Sequence, residues 1–262
     1  MGQNVSDDDG SEVEWVELPA ARTSADWLAW DESLLEASEA QAERSEPCEK
    51  FWLWESKKTF VVVGFGQKVE TEVNVNVCDE RGIPILRRCS GGGAVVQGKG
   101  CLNYGVILEI PESGQLSTIT GTNTWVMERN RRVMESILMS PVLVRGHTDL
   151  ATTRDGRELK FSGNAQRRKR RTLLFHGTLL CDFDLALIPQ LLRRPSWAPE
   201  YRANREHSEF VTNLGIPCDI VRSALAAAWG ATRSAPGRPR DRSDIIPLLT
   251  SRYGQPEWHR RL

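Results

Sequence analysis

The sequence predicts an α+β domain in which a mixed β-sheet is flanked by helices. Three observations carry this. Strand-like apolar runs follow one another without strict βαβ alternation, helical patterns stand at the start, middle and end, and no low-complexity linker divides the chain. A chain of 262 residues can bury one substantial core. One domain is therefore expected over residues 13–262, after a disordered acidic N-terminus over residues 1–12.

The elements follow in order. "EWVEL" (14–18) reads as a short strand. Ser24 caps a helix running to about Glu43, with Trp27, Leu28, Trp30, Leu34 and Leu35 on its apolar side. Two strands are expected at "FWLWE" (51–55) and "TFVVVGF" (59–65), then a mixed helical segment over 69–81 that ends at Gly82. "IPIL" (83–86) and "LNYGVILEI" (102–110) are strands by composition. Residues 121–139 carry apolar positions at helical spacing. After Pro141 come short strands at 142–146, 149–153, 158–163 and 172–180, with "RDG" (154–156) marking a hairpin turn between the second and third. The remainder reads as helical at 185–192, 219–229 and 244–253, interrupted by a Pro-, Gly- and Arg-rich loop over 231–243.

Composition excludes several classes. Lysine plus arginine is 34 and aspartate plus glutamate 35, a balance that argues against a general nucleic-acid binder. No run reaches the roughly 20 apolar residues of a membrane span, and the acidic start is not a signal peptide, so a cytoplasmic protein is expected. Cysteines at 48, 78, 89, 101, 181 and 218 form no CxxC pair, and histidines at 147, 176, 207 and 259 lack metal-ligand spacing. Reduced thiols and no protein-held metal cluster are the expectation.

Chemistry concentrates in two segments. In "RRCSGGGAVVQ" (87–97) glycines let the backbone approach a ligand, and the arginines offer charge and paired donors suited to phosphate or carboxylate. Neither a Walker A loop nor GxGxxG is present, so a tight turn with surface arginines competes with the anion cradle. In "GRELKFSGNAQRRKRRTLLFHGTLL" (156–180) Lys160 stands two residues before Ser-Gly-Asn-Ala, facing opposite to Leu159 and Phe161 and placed to enter a cleft beside a second small-residue loop. The basic stretch 166–171 is a solvated loop or a dock for an acidic carrier domain.

Together the segments resemble the lipoate–protein ligase family, within the biotin and lipoate ligase superfamily. Its first signature resembles Arg-Arg-x-Ser/Thr-Gly-Gly-Gly-Ala-Val, matched by Arg87–Val95; its second, Gly-Arg/Lys-Lys-x-Ser/Ala-Gly-Ser/Asn-Ala with a later His-Gly-Thr/Ser-Leu-Leu, is matched by Lys160, Ser162–Ala165 and His176–Thr178. The resemblance implies a biotin/lipoate ligase-like catalytic domain that uses ATP to convert lipoate or octanoate to an acyl-adenylate. The acyl group then passes to a lysine of a lipoyl-domain or glycine-cleavage-type carrier protein. It places Arg88, Ser90, Gly91, Gly92, Gly93 and Ala94 along the acyl-adenylate cleft, with Ser162, Gly163, Asn164 and Ala165 opposite. Lys160 contacts the acyl carbonyl and phosphate. Asp149 holds Mg²⁺ or the nucleotide, or else caps a strand end. His176 stands at the cleft wall, or else is a hydrogen-bonded core histidine. Leu173, Phe175 and Leu179 are expected in the core.

The chain departs from that pattern at three points. Gln97 stands where the family often has histidine, and Thr148 where it has the asparagine of an Asn-Asp pair. No small C-terminal accessory domain is recognised, which points to a separate accessory subunit or to altered adenylation. Relatives without that domain include ATP-independent transferases that use a cysteine nucleophile with a nearby lysine. Cys89, beside two arginines, is the thiol whose pKa the sequence would have depressed. A carrier-binding protein without catalysis is the remaining alternative.

Overall fold

The computed structural model describes residues 13–195, 199–231 and 240–262. The N-terminal segment expected to be disordered, and most of the loop expected over 231–243, lie outside the described residues. Ten strands are assigned: β1 Glu14–Trp15, β2 Lys50–Glu55, β3 Phe60–Val63, β4 Ile85–Arg87, β5 Val95–Gln97, β6 Cys101–Glu109, β7 Val142–Arg145, β8 Asp149–Arg154, β9 Arg157–Arg168 and β10 Thr172–Leu180. The helices are α1 Ser24–Glu43, α2 Val69–Glu72, α3 Val75–Glu80, α4 Ile119–Leu138, α5 Leu187–Leu191, α6 His207–Phe210, α7 Cys218–Ala228, α8 Ile246–Leu248 and α9 Pro256–Arg260.

A seven-stranded sheet runs β1-β2-β6-β10-β9-β8-β7, antiparallel except for the parallel β1–β2 pair. A three-stranded sheet runs β4-β3-β5, with β3 parallel to β4 and antiparallel to β5. The large sheet is covered on both faces, which is why "FWLWE" reads as an unbroken apolar run rather than an alternating one. Phe51 and Leu53 enter a core shared with α4 and α7, while Trp52 and Trp54 enter a second core under α1. The same parity sends Leu173, Phe175 and Leu179 to the α4 side and Leu174 to the α1 side. His176 therefore points at α1.

Several elements differ from the sequence-based expectation: the helical segment expected over 69–81 breaks at Val73 into α2 and α3, β5 was not expected, and the segment expected as helix over 244–253 is α-helical only at Ile246–Leu248. The N-cap of α1 is Thr23, one residue before Ser24: its backbone is extended, φ −130° and ψ 161°, and its hydroxyl donates to Asp26 Oδ1 at 2.8 Å rather than accepting from the first helical N–H groups. Strand β9 is twice as long as its apolar pattern suggests and carries "SGNAQRR" within it. The segment Ser162–Ala165 is accordingly part of the sheet, not a second loop. Of the basic stretch, residues 166–168 are strand and only 169–171 form the hairpin connection to β10. Polar side chains hide this extension because pairing with β10, from Leu173↔Arg168 to Leu179↔Ser162, is decided by the partner strand. The "RDG" turn is as expected, with Asp155 and Gly156 both at positive φ, 50° and 72°.

Candidate active site

The two motifs meet on one face of the large sheet. The strap Arg88–Ala94 leaves the small sheet after β4 and crosses the face that carries Ala165 of β9 and His176 of β10, which are paired in register. Gly92 has φ 88°, a conformation that penalises any side chain, and a Cβ there would lie 3.6 Å from Ala165 Cβ and 2.9 Å from Arg88 Nη2. Gly91, Gly92 and Gly93 are exposed, Ala94 is half-buried, and Ser90 is fully buried beneath them.

Arg88 holds the strap closed. Its Nε donates to Ser90 Oγ at 3.0 Å, and its Nη2 donates to Gly91 O and Gly93 O at 2.5 and 2.9 Å. Burial pushes its guanidinium down to about 10. The sequence suggested an open arginine aimed at an anion; most of its donors are committed to the strap's own carbonyls. Arg87 is a buried hub. Its side chain donates to the carbonyls of Gly64, Phe65, Gln67, Trp258, His259 and Arg261, and so fastens the C-terminal segment to the end of β4 and to residues 64–67.

Lys160 reaches the same face. Ala151 pairs with Lys160 and Leu150 with Ser162, so Phe161 bulges out of the β8–β9 ladder into the core. The Lys160 ammonium is 2.7 Å from Asp149 Oδ1. A Cβ on Gly163 would lie 2.9 Å from that nitrogen, so the lysine extends over a position where only glycine leaves room. Gly163 is two residues, about 7 Å, along β9 from Ala165 under the strap. Tyr201 OH donates to the other Asp149 oxygen at 2.8 Å, and the proximity of that carboxylate adds to burial in raising the tyrosine hydroxyl far above its ordinary range.

Both Asp149 oxygens are thus engaged, and among the described residues no group of three or more His, Cys, Asp or Glu is placed to hold a metal. The donor set does not fit a protein-held Mg²⁺ at Asp149.

The remaining expected residues divide by face. Gly163 and Ala165 lie on the strap side, whereas Ser162 and Asn164 point to the opposite one. There Asn164 accepts from Tyr104 OH at 2.7 Å and donates to Thr148 O at 2.6 Å and Ser162 Oγ at 3.2 Å. Thr148 Oγ1 donates back to Asn164 O at 2.8 Å, so threonine here ties the β8 entry to β9. Gly177 is required across from Asn164, whose amide occupies the space a Cβ would take. Gln97 closes a buried ring, donating to Thr178, which donates to Asn103, which donates to Gln97 at 2.7, 2.6 and 2.9 Å.

His176 is a buried hydrogen-bonded histidine that belongs to the site. Its Nε2 is 2.6 Å from Ser90 Oγ and its Nδ1 2.6 Å from Asp31 Oδ2, while Trp52 Nε1 donates to Asp31 Oδ1 at 3.1 Å. Sequence reasoning missed Asp31, its neighbour Glu32 and Tyr201. The signal for Asp31 was its position: it falls three residues from both Leu28 and Leu34, inside the apolar stripe of α1. Glu32 is buried beside it and accepts from Tyr253 OH at 2.6 Å and from Arg252.

The cysteines correct one expectation. Burial pushes the Cys89 and Cys101 thiols far up rather than down; at Cys89 the nearby Glu32 and Asp31 carboxylates add to that rise and outweigh Arg167. Cys48 is pushed up to about 11 and Cys78 is raised, both by burial. The Cys181 thiol donates to Leu179 O at 3.9 Å, and its interaction with Cys218, together with burial, raises it. Cys181 follows β10 five residues after His176, roughly 16 Å along the strand.

Comparison with known proteins converges on one family. The chain is 26% identical over 214 residues to lipoate-protein ligase A subunit 1 of Thermoplasma acidophilum, covering 76% of this chain and 80% of that protein. It is 27% identical over 191 residues to the human mitochondrial lipoyl amidotransferase LIPT1, covering 69% and 47%. It is 26% identical over 264 residues to the octanoyltransferase LipM of Geobacillus kaustophilus, covering 88% and 92%. The chain spans less than half the length of several curated relatives it matches.

Among solved structures, a bi-partite lipoate protein ligase of Thermoplasma acidophilum superposes with a TM-score of 0.74 at 22% identity, covering 96% of this chain and 97% of that one. A lipoate-protein ligase A bound with ATP superposes at 0.71 and 21% identity, covering 95% and 98%. These likenesses are of fold. The sequence model of the lipoyl protein ligase A/B catalytic domain matches residues 24–223, and the chain belongs to that family.

Proposed function

We propose that the chain is a lipoate–protein ligase: it activates the carboxylate of lipoate or octanoate with ATP and passes the acyl group to a carrier-domain lysine. The observation that carries this reading is the Lys160 ammonium, held over Gly163 by Asp149 at 2.7 Å on the same sheet face as the glycine strap. A carboxylate is a poor electrophile, and adenylation supplies a leaving group. Lys160 is placed to neutralise the acyl and α-phosphate oxygens as charge develops, a contact whose removal costs about 3–4 kcal/mol of barrier. The exposed glycines let a ligand backbone-deep into the strap, and the Arg88 Nη1 edge is left for its anionic group. Asp149, engaged by Lys160 and Tyr201, is assigned the positioning of Lys160, and no step is routed through a protein-bound Mg²⁺.

The bi-partite Thermoplasma ligase supports the further reading that a separate accessory subunit completes adenylation and that the acceptor is a lipoyl domain. Ser162, Asn164 and Thr148 then act by fixing β9, while Gly163, Ala165 and Ser90 face the acyl-adenylate.

A second reading, ATP-independent acyl transfer through a cysteine, is favoured by the named transferases LIPT1 and LipM. The raised thiols of Cys89 and Cys101 argue against it. Pyrophosphate release from lipoate plus ATP tests the ligase. We expect release to survive Cys89→Ala and Cys101→Ala and to fall by about 10²–10³-fold in Lys160→Ala. A hydroxylamine-sensitive acyl-enzyme without pyrophosphate would move the assignment to a transferase.

A further inference from the structure

Ser90, His176, Asp31 and Trp52 form one buried chain of hydrogen bonds beneath the glycine strap, with Arg88 on its near end. The donors and acceptors in it can be assigned one by one. A carboxylate only accepts, so with Asp31 ionised His176 Nδ1 carries a proton. Neutral His176 then has a bare Nε2, and at 2.6 Å that nitrogen accepts a hydrogen bond from the Ser90 hydroxyl. Arg88 Nε fills one lone pair of Ser90 Oγ. In this state the serine offers the strap a lone pair and no donor, an arrangement that opposes an incoming carboxylate.

A proton on His176 reverses the direction. Nε2 now donates to Ser90, Arg88 fills the second lone pair, and the serine O–H is released for another acceptor. The charged groups around the chain are largely paired. On α1, Asp31 is offset by Arg88, and Glu32 by Arg252 and the Tyr253 hydroxyl. Cys89 and Tyr253 are kept neutral by burial. Arg167, on β9, lies out over the Phe65 ring with its guanidinium 5.3 Å from the centroid, and Trp52 on β2 is uncharged. On the strap side the Lys160 ammonium, paired with Asp149, and the Arg88 Nη1 edge face an added carboxylate, which would still meet the Ser90 oxygen as a lone pair unless a proton on His176 turns the hydroxyl toward it.

We propose that Asp31 and His176 are positioning residues that set the direction of the Ser90 hydroxyl, so that the acyl carboxylate enters the strap together with one proton taken up on His176. The proposal rests on the ligase reading for the identity of its ligand, and its own geometry is independent of ATP.

Two measurements on the full chain test it. In ligand-free protein, ¹⁵N NMR of the His176 ring should show Nδ1 protonated and Nε2 as acceptor in the neutral state; the opposite tautomer overturns the proposal. Calorimetric titration with sodium octanoate and with lipoate, in buffers of different ionisation enthalpy from about pH 6 to 9, should show proton uptake wherever NMR finds His176 neutral. His176→Gln should bind without uptake. Asp31→Asn, which keeps shape and one hydrogen bond, should weaken octanoate binding about 10- to 100-fold.

Equal uptake in His176→Gln, no uptake in the wild type, or no carboxylate binding overturns the proposal. So does an acyl ester on Ser90, which would make it a nucleophile. Proton-linked binding without pyrophosphate release would remove the ligase reading and leave this one standing; pyrophosphate release without uptake would do the reverse.

Discussion

Lys160 and Arg88 show how far a single residue's role can be read from its neighbours in sequence. Lys160 preceded Ser-Gly-Asn-Ala and was expected in the cleft; it reaches the strap face because Phe161 bulges and Gly163 leaves room. Lys160→Ala should slow acyl transfer to an apo carrier domain by about 10²–10³-fold and cost no more than about 1–2 kcal/mol of stability, since Asp149 keeps its Tyr201 partner. Intact-mass spectrometry with a thermal melt reads both. Arg88 was expected as an open donor, and no local pattern reveals that its acceptors are the carbonyls three and five residues on. Arg88→Ala should therefore lower stability by about 2 kcal/mol or more as well as weaken acyl-adenylate-analogue binding. A melt identical to wild type would contradict that strap role. Gly92→Val should impair both properties, by about 1–3 kcal/mol in stability, through its φ of 88° and contact with Arg88.

At the scale of elements, strands with apolar runs were legible because burial on both faces of the large sheet leaves its mark on every residue. The polar half of β9 was not, since its pairing is dictated by β10. The C-terminal segment carries a similar lesson: Arg87 fixes its place by gathering three of its carbonyls with three from residues 64–67, and carbonyls leave no trace in a sequence. Arg87→Met should destabilise the protein by about 3–5 kcal/mol and expose residues 254–262 to protease, read by limited digestion and mass spectrometry. Unchanged cleavage would remove the hub from the account.

For the whole molecule, the meeting of the two motifs depends on sheet order, which places β10 between β6 and β9 and so brings His176 beneath Ser90; the linear sequence supplies the motifs but not that adjacency. Global stability also carries a pH signature. Burial and the nearby Arg202 push His207 down to about 4, and burial pushes His259 below its usual value, where its Nδ1 accepts from Arg87 N. Below the unfolded histidine value of about 6.5 the unfolded chain binds protons that these folded histidines refuse, so stability is full above that pH and declines as pH falls toward about 4. Urea midpoints measured over that range should drop with acidification, and His207→Gln should flatten part of the drop. A flat profile in the wild type would contradict the buried, neutral state of these rings.

The central claim is that this site makes an acyl-adenylate. The direct measurement is intact-mass spectrometry of an apo lipoyl domain incubated with the protein, lipoate and Mg²⁺, with and without ATP, adding an accessory subunit where activation requires one. Lipoylation of the carrier lysine that needs ATP, is restored without ATP by preformed lipoyl-adenylate, and slows by about 10²–10³-fold in Lys160→Ala is the predicted result. Carrier acylation from an acyl-carrier donor at equal yield without any nucleotide, with none from lipoate and ATP, would contradict it.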